Sequence, residues 1–282
     1  RGFGKSTGLV QIDGRGAPAT PLALTNTFSV AAIAEAQIRQ CIAANPESGR
    51  HLPTVNPLVF ECNDGYLNDI QQLAVNASHY RTACNTAGLV VEEGSVGAGR
   101  GMSCFELKGG IGSASRRVAL AADEYTVGSL VLANFGRLPQ LTLGGDALGD
   151  RLSARLALNA SEAEKGSIIL IIATDAPLDA RQLRRLALRA GAGLARTGSV
   201  FGHGSGDIAL AFSTAYTLPQ QMQRAMPAIS LLHDSRLDPL FQGVSDCSEQ
   251  SILHALWRAT PVTGRNGHRR EAIANLLPDW SK

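Results

Sequence analysis

The sequence predicts an α/β protein, and two patterns carry this prediction. The first is the continuous aliphatic stretch from Ile168 to Ile172, which directly follows Gly166-Ser167 and is typical of a strand buried on both faces. The second is the presence of segments with helical periodicity, such as residues 30–44, between strand-like segments. Because the 282 residues contain no linker rich in Pro, Gly and Ser, we expect a single domain over residues 1–282.

The composition is that of an ordinary globular chain, and it disfavours several classes of protein. A charged fraction of 18% and a net charge of +2 do not indicate nucleic-acid binding. The five cysteines stand at wide, irregular spacings and are expected to be reduced, mostly buried thiols. No apolar run reaches the roughly 18 residues of a membrane span, and no signal peptide is visible. We therefore expect a cytoplasmic protein, or a periplasmic one if a signal upstream of Arg1 has been removed.

Strand-like and helix-like runs alternate along the chain. Short aliphatic and β-branched runs predict strands at residues 8–12, 22–29, 58–61, 125–133, 168–172 and 207–212. Periodic segments predict helices at residues 30–44, 67–77, 219–233 and 246–260, and after Asp179, where Leu183, Leu186, Leu188 and Leu194 supply the apolar positions. The polar, alanine-rich stretch 144–165 is expected to be exposed, partly mobile and tolerant of a chain break.

Several familiar motifs are incomplete. Gly4-Lys5-Ser6 matches only the back half of a phosphate-binding loop, which leaves a non-enzymatic α/β binding protein as one alternative. The glycines between 88 and 112 do not satisfy the dinucleotide pattern, and the six histidines lack the spacing of metal ligands, so we expect no metal and no other cofactor. Ser167 and Ser205 both lack the flanking glycines of a conventional serine hydrolase, although a triad around His203 stays open.

Gly166-Ser167 offers another way to activate a serine. If the bond before a serine is cleaved, the freed α-amino group, with a pKa near 7.7 to 8.0, lies beside the hydroxyl and can serve as its general base. Glycine has no side chain to obstruct attack of that hydroxyl on the preceding carbonyl. The aliphatic strand would hold the new terminus, and the polar segment before it could move away.

Four stretches carry a resemblance to a known family. They are residues 166–178, residues 196–199 with Gly204-Ser205-Gly206-Asp207 and 211–214, residues 125–128 with Asn134-Phe135-Gly136, and residues 108–112. In these motifs and in their order, the chain resembles the self-processing L-aminopeptidase/D-esterase family, which includes the β-peptidyl aminopeptidases. The similarity runs from about residue 1 to residue 270.

The resemblance implies a fold and a reaction. The fold is a four-layer α/β/β/α sandwich resembling N-terminal-nucleophile hydrolases. The catalytic domain is implied to be cleaved into an α subunit, residues 1–166, and a β subunit, residues 167–282, which assemble as a homo-oligomer of αβ units. Its substrates would be short peptides, amino-acid amides or esters with a free amino group, from which it releases N-terminal residues; β-aminopeptidase activity is one form of this reaction.

The resemblance also implies roles for individual residues. Ser167 is the implied nucleophile and Gly166-Ser167 the implied cleavage site. Ser205 and Asp207 are implied to contact the nucleophile and its ammonium group, and Asn134 to contribute to the oxyanion hole. Glu61 is implied to pair with the amino group of the substrate.

Two departures from the family pattern bear on these implications. Some members carry an aromatic residue where this chain has Asn63, so the resemblance does not extend to acyl positioning and substrate preference. Members usually also have a further segment upstream of the equivalent of Arg1. A self-cleaving acyltransferase, transferring its acyl group to an amine faster than to water, is a second enzymatic alternative.

Overall fold

Two β-sheets stacked face to face form the centre of the computed structural model, which describes residues 2–120, 123–156, 166–219, 221 and 223–278. The strands are β1 (Ser6–Thr7), β2 (Leu22–Asn26), β3 (Leu58–Cys62), β4 (Ser103–Cys104), β5 (Leu107–Lys108), β6 (Gly110–Leu120), β7 (Asp123–Asn134), β8 (Thr142–Leu143), β9 (Asp146–Ala147), β10 (Ser167–Thr174), β11 (Ile208–Ser213), β12 (Val262–Thr263) and β13 (Arg269–Arg270). The α-helices are α1 (Leu9–Arg15), α2 (Val30–Ala44), α3 (Ala77–Thr86), α4 (Gly149–Leu156), α5 (Ala180–Arg196), α6 (Asp238–Trp257) and α7 (Ile273–Leu276).

The first sheet has the strand order β1-β3-β2, and the second has the order β11-β10-β7-β6. In the first sheet β3 is parallel to β2 and antiparallel to β1. In the second sheet β10 is parallel to β11 and antiparallel to β7, which is also antiparallel to β6. Both β3 and β10 therefore have hydrogen-bonded neighbours on each side.

The position of β10 between two layers explains why its sequence is aliphatic without interruption. Ile168, Leu170 and Ile172 belong to the core between the second sheet and helices α5 and α6. Ile169 and Ile171 point the other way and pack between the two sheets, against residues of β3. Successive strand residues face opposite sides, so a strand covered on both sides needs apolar residues throughout. Each fully buried isoleucine contributes roughly 1.5–3 kcal/mol.

The helices complete four layers. Helices α2 and α3 cover the outer face of the first sheet, where Ile33 and Ala36 pack with Val59 of β3. Helices α5 and α6 cover the outer face of the second sheet. The layer order is therefore helices, sheet, sheet, helices, and the predicted α/β/β/α sandwich is confirmed.

Several element predictions are confirmed closely. Helix α2 has the predicted bounds, and the strands predicted at 22–29, 58–61, 125–133, 168–172 and 207–212 correspond to β2, β3, β7, β10 and β11. The helix predicted after Asp179 is α5, where Asp179 caps the first turn by accepting a hydrogen bond from the backbone N–H of Gln182. Of its four predicted apolar positions, Leu188 is exposed and the other three are buried.

Other predictions were wrong or incomplete. Residues 8–12 are not a strand: after the short β1, Gly8 turns the chain at a φ of 84°, and helix α1 begins at Leu9. The helix predicted at 67–77 is a single 3-10 turn, Ile70–Gln72, which ends at Leu73 with a φ of 49°; the full helix α3 begins only after its cap residue Asn76.

The C-terminal half contains two further corrections. The described part of residues 219–233 contains no helix, since Pro219 and Pro227 interrupt any i→i−4 ladder there. The helix predicted at 246–260 is longer than expected, because α6 begins at Asp238, with Pro239 in its first turn. Within the predicted mobile stretch 144–165, residues 149–156 form α4, and residues 157–165 lie outside the described residues.

Candidate active site

Ser167 opens β10 at the point where β7 ends, so its strand partner is Asn134. The residue is buried, at 6% exposure. The backbone at Gly166 passes so close to β7 that a Cβ there would lie 2.2 Å from the carbonyl oxygen of Asn134. The glycine before the serine is thus required by backbone packing as well as by the absence of an obstructing side chain.

The backbone N–H of Gly206 faces both groups of the Gly166–Ser167 unit. It lies 3.3 Å from the carbonyl oxygen of Gly166 and 3.2 Å from Oγ of Ser167, and it donates to both. Gly206 is itself held against Gly4, whose nitrogen would lie 2.5 Å from a Cβ at position 206. One backbone donor, the Gly206 N–H, therefore contacts both the Ser167 hydroxyl and the Gly166 carbonyl, which that hydroxyl could attack.

Asp207 lies next to this donor and faces the start of β10. Its Oδ1 accepts hydrogen bonds from the backbone N–H of Ile168, at 3.2 Å, and from the hydroxyl of Ser205, at 2.5 Å. Burial raises the pKa of Asp207, and these two hydrogen bonds partly oppose the increase. The Asp207 carboxylate therefore lies beside the backbone nitrogen of Ile168, the residue after Ser167. The Ser205 hydroxyl holds the carboxylate in this position.

The side chain of Asn134 is fixed at both ends of its amide. Oδ1 accepts from the backbone N–H of Ser103 at 2.8 Å, and Nδ2 donates to the carbonyl oxygen of Asn63 at 3.0 Å. An amide nitrogen carries two N–H groups, so one remains for another acceptor. Because Asn134 is the strand partner of Ser167, this remaining donor belongs to the surroundings of the hydroxyl.

Glu61 is almost completely buried, at 1% exposure, near the end of β3. One carboxylate oxygen accepts from the backbone N–H of Lys5 at 2.8 Å, and the other accepts from the hydroxyl of Thr27. Lys5 directly precedes β1, which pairs with β3, and the Lys5 amine donates to the carbonyl of Phe3. The apparent half of a phosphate-binding loop thus leads into a strand, and its backbone supports a buried carboxylate.

Cys62 joins the two halves of the site. Its thiol donates to the carbonyl oxygens of Ser167, at 3.3 Å, and of Leu132, at 3.5 Å, across the space between the sheets. Burial raises the pKa of this thiol well above its ordinary value, and the negative charges of Glu61 and Asp207 raise it further. The charges of both carboxylates therefore act on the thiol that contacts the Ser167 backbone.

A cleft of about 720 Å³ opens beside this group of residues. Asn134 and Gly166 line it together with Asn63, which stands where some family members have an aromatic residue. The Asn63 side chain accepts from the backbone N–H of Gly65 at 2.9 Å, so it closes its own turn instead of presenting a ring to the cleft.

A buried lysine supports the loop behind Asn134. Lys108 Nζ donates to the carbonyl oxygens of Gly99, Met102 and Gly109 at 2.7–2.8 Å. Met102 directly precedes Ser103, whose N–H holds Asn134. Burial, and secondarily the charge of Arg100, lower the pKa of Lys108 to about 7.

The structure brings together most of the residues predicted from the sequence. One cluster contains Gly166, Ser167, Ser205, Asp207 and Asn134. Glu61 contacts none of these side chains directly; it precedes Cys62 in β3, whose thiol contacts the Ser167 carbonyl. No three His, Cys, Asp or Glu side chains form a potential metal site within the described ranges. Among the helices that the structure describes, none is long and apolar enough to cross a membrane.

Sequence reasoning missed the groups that hold this cluster together. They are the thiol of Cys62, the backbone N–H groups of Gly206 and Ser103, and the carbonyl of Asn63. Backbone groups leave no signal in the residue type. A buried cysteine directly after Glu61 was visible in the sequence, but its contact with Ser167 depends on how the sheets stack.

The chain is similar to known proteins in sequence and in fold. The model of peptidase family S58 matches residues 1–270. The chain is 37% identical, over 278 residues, to a β-peptidyl aminopeptidase, BapA, of Sphingosinicella microcystinivorans, covering 94% of this chain and 69% of that protein.

Two solved structures are similar throughout. The PH0078 protein from Pyrococcus horikoshii OT3 has a TM-score of 0.92 and 45% identity, covering 98% of this chain and 76% of that one. The L-aminopeptidase D-Ala-esterase/amidase from Ochrobactrum anthropi has a TM-score of 0.88 and 32% identity, covering 99% of this chain and 78% of that one. The second is described as a prototype for the serine aminopeptidases and a variant of the Ntn hydrolase fold.

We expect Lys108 to make the fold more stable as the pH rises above 7. Its ordinary pKa of 10.5 applies in the unfolded chain, whereas in the folded chain the pKa is about 7. Between these values the unfolded state binds more protons, so this group raises the free energy of unfolding by up to about 1.4 kcal/mol per pH unit. Urea unfolding of the Ser167→Ala variant between pH 7 and pH 9 measures how the free energy of unfolding changes with pH.

The matched comparison is Lys108→Gln in the same background, which keeps two N–H donors but does not titrate. The buried thiols of Cys62 and Cys247, whose pKa values are raised, act in the opposite direction, but they are common to both proteins. The slope of stability against pH should be steeper with Lys108 than with Gln. Equal slopes would show that Lys108 keeps its proton in the folded protein.

Proposed function

The chain belongs to peptidase family S58 and is a serine aminopeptidase of the N-terminal-nucleophile type; on that premise we propose that cleavage of its Gly166–Ser167 bond creates both the nucleophile and the general base. The observation that carries this proposal is the position of the Gly206 N–H, which donates to the Gly166 carbonyl and to the Ser167 hydroxyl. A donor in this place polarises the carbonyl beside the hydroxyl that attacks it.

Self-cleavage is an intramolecular acyl shift followed by hydrolysis. The Ser167 hydroxyl adds to the Gly166 carbonyl carbon, the C–N bond breaks, and the hydroxyl proton passes to the departing nitrogen. The resulting ester is hydrolysed by water, which leaves a carboxylate on Gly166 and a free α-amine on Ser167. The chain then consists of residues 1–166 and residues 167–282.

The new amine is the base for the reaction with substrate. Its pKa, near 7.7 to 8.0 in an unperturbed terminus, allows it to take the Ser167 hydroxyl proton near neutral pH. The hydroxyl attacks the carbonyl of the first residue of the substrate, and the amine passes the proton to the leaving nitrogen. Water then releases the acyl group from the serine with the same amine as base.

Asn134 and Gly206 are the proposed oxyanion donors. Asn134 is the strand partner of Ser167, and the Gly206 N–H contacts the Ser167 hydroxyl; both groups are fixed before substrate arrives. Donors held in advance need no reorganisation when negative charge develops on the carbonyl oxygen. The bracing of Asn134 by Ser103 and Asn63 therefore has a catalytic purpose.

Asp207 is the proposed partner of the Ser167 amine. It already accepts from the neighbouring N–H of Ile168, so its carboxylate lies within reach of the terminus that cleavage creates. An opposite charge nearby stabilises the ammonium form and raises the pKa of the amine. Ser205, by donating to Asp207, limits how strongly the carboxylate does this.

Glu61 is the proposed receptor for the substrate's ammonium group. Its two oxygens accept one hydrogen bond each from Lys5 and Thr27, and a carboxylate has about four lone-pair positions, so it can still accept from an ammonium. A buried carboxylate without a cationic side chain among its hydrogen-bond partners favours a positively charged ligand. This selects substrates with a free amino terminus.

The substrate class proposed is short peptides, amides and esters with a free amino group, including β-amino acid derivatives. The similarity to a β-peptidyl aminopeptidase supports this class, and it favours hydrolysis over the acyl transfer considered from the sequence. The backbone N–H of Lys5 donates to Glu61, which supports a role for the half-motif in the proposed enzymatic site and not in a nucleotide site. Assembly of the αβ units into a homo-oligomer is part of the same proposal.

We expect the purified wild-type protein to run as two fragments and Ser167→Ala to run as one intact, inactive chain, because alanine has no hydroxyl to attack Gly166. Denaturing electrophoresis and N-terminal sequencing check this, and the second terminus should read Ser-Ile-Ile-Leu. Ser115→Ala, at an exposed serine of β6, is the control and should be cleaved normally. An active wild-type protein with a single full-length band would contradict the proposal.

Gly206→Ala should slow self-cleavage by two orders of magnitude or more, since removal of one oxyanion donor costs roughly 10²–10³ in rate. The added Cβ would lie 2.5 Å from the Gly4 nitrogen and 3.0 Å from Oγ of Ser167, so the N–H must shift from its two acceptors. The intact fraction is measured against time after synthesis.

Gly128→Ala is the matched control for this variant. Gly128 lies in β7 of the same sheet, and the nearest atom to an added Cβ is 3.9 Å away, so cleavage should proceed at the wild-type rate. Normal cleavage of Gly206→Ala would show that the contact of the Gly206 N–H with Gly166 is not used.

Glu61→Gln should lower kcat/KM for amino-acid amides by roughly tenfold to a hundredfold, because a charge-assisted hydrogen bond to the substrate ammonium is replaced by a neutral one. The measurement uses the cleaved fraction of the variant. Glu35→Gln, at an exposed glutamate of α2 that pairs with Arg39, is the control and should leave kcat/KM unchanged. An unchanged kcat/KM in Glu61→Gln would remove Glu61 from substrate recognition.

A further inference from the structure

We propose that the cleft beside Asn134 binds the free carboxylate of the substrate's leaving portion, and that the guanidinium of Arg270 is the group that receives it. This inference rests on the proposed function, because it names the chemistry of the substrate at that same site. It makes the enzyme selective for short peptides with a free C-terminus over the corresponding amides.

The cleft that contains Arg270 is continuous with the reacting groups. Gly166 and Asn134 line it at one end, and Arg270 and Arg265 line it as well. An aminopeptidase substrate has a single residue on the acyl side of its scissile bond, so any longer part lies on the leaving side. A volume of about 720 Å³ is sufficient for one or two further residues.

Arg270 is held firmly in this cleft. Its guanidinium carbon lies 3.8 Å from the centroid of the Tyr66 ring, and its Nε donates to the hydroxyl of Ser103 at 3.2 Å. The Tyr66 ring is stacked in turn on His268, with 4.5 Å between ring centroids. A planar guanidinium fixed on an aromatic face loses little conformational freedom when it binds a carboxylate.

The outer nitrogens of Arg270 have no hydrogen-bond partner among the described residues. Burial lowers the pKa of this guanidinium, and the charges of Tyr66 and Glu106 partly oppose this decrease. A partly buried cation whose outer edge, formed by its two terminal nitrogens, has no described partner is the arrangement that a bidentate carboxylate satisfies. Arg265, which is more exposed, also uses only its Nε, which donates to the Gly65 carbonyl. Its outer nitrogens have no hydrogen-bond partner among the described residues.

Ser103 links the proposed carboxylate site to the proposed oxyanion donor, Asn134. Its N–H donates to the Asn134 amide, and its hydroxyl accepts from Arg270. The proposed oxyanion donor and the guanidinium are thus bound to the same residue. Since adjacent Cα atoms of a peptide are about 3.8 Å apart, a carboxylate one or two residues beyond the scissile bond can reach this guanidinium.

The acidic groups of the cleft are already engaged with the chain. Asp69 accepts from the N–H of Gln71 and from the side chain of Gln72, and Glu106 accepts from the N–H of Leu138. Arg137 also lines the cleft, so three arginines face two carboxylates there. The balance of charge favours an anionic ligand over a neutral amide.

The test compares a free acid with its amide on the cleaved enzyme. The substrates are one accepted N-terminal residue joined to alanine, to alanine amide, and to p-nitroaniline, which carries no carboxylate. The wild-type enzyme should prefer the free acid to the amide, and Arg270→Gln should lower kcat/KM for the free acid by roughly tenfold to a hundredfold. Values for the amide and the anilide should stay within about twofold of the wild type.

Arg269→Gln is the matched control. Arg269 is the preceding residue on the same strand, is exposed, and pairs with Glu271, so its replacement should alter none of the three values. Arg270→Lys, which keeps the charge without the fork, should restore part of the loss for the free acid.

Two results would overturn the inference. One is a wild-type enzyme without preference for the free acid, a measurement that needs no variant. The other is an equal loss for acid and amide in Arg270→Gln, which would mean that Arg270 only supports Ser103 and Asn134. Failure of the proposed function is a separate outcome, because the wild type would then hydrolyse none of the three substrates.

Discussion

The packing of β3 against β10 is the contact on which the active site depends. Cys62, at the end of β3, points between the sheets and donates to the Ser167 carbonyl, while the preceding Glu61 points to the opposite face. The next residue, Asn63, uses its carbonyl to hold the Asn134 amide. Three consecutive residues, Glu61 to Asn63, thus supply the proposed receptor for the substrate's amino group and contact the proposed nucleophile and oxyanion donor. A shift between the sheets would change the last two contacts together.

Two buried carboxylates dominate the electrostatics of the site. Asp207 lies beside the start of β10 and Glu61 lies in β3, and their described hydrogen-bond partners are neutral N–H and O–H groups. Burial raises the pKa of Asp207, which reflects the cost of removing its charge from water. In the proposed reaction, cleavage supplies one ammonium at Ser167 and the substrate supplies another at Glu61, so each carboxylate receives an opposite charge.

The elements that were predicted correctly are those with strong local signals. Helix α2 and strand β10 each show one uninterrupted pattern, and Asp179 marks the start of α5 by its own capping hydrogen bond. Two of the errors fall where backbone conformation overrode the pattern. Gly8, with a positive φ, turns the chain at the start of the strand predicted at 8–12, and Leu73, also with a positive φ, ends a single turn inside the helix predicted at 67–77.

The sequence by itself determined the α/β class, the buried strand behind Ser167 and, through the resemblance, the candidate residues Asn134, Asp207 and Glu61. Only the tertiary structure decided what those residues contact. The half-motif at Lys5 contacts Glu61 through the Lys5 backbone N–H, and the Gly206 N–H donates to the Gly166 carbonyl and to the Ser167 hydroxyl. The physical reason is that these contacts are made by backbone N–H and C=O groups, which every residue carries, and which acquire a partner only when two sheets and their loops are packed together.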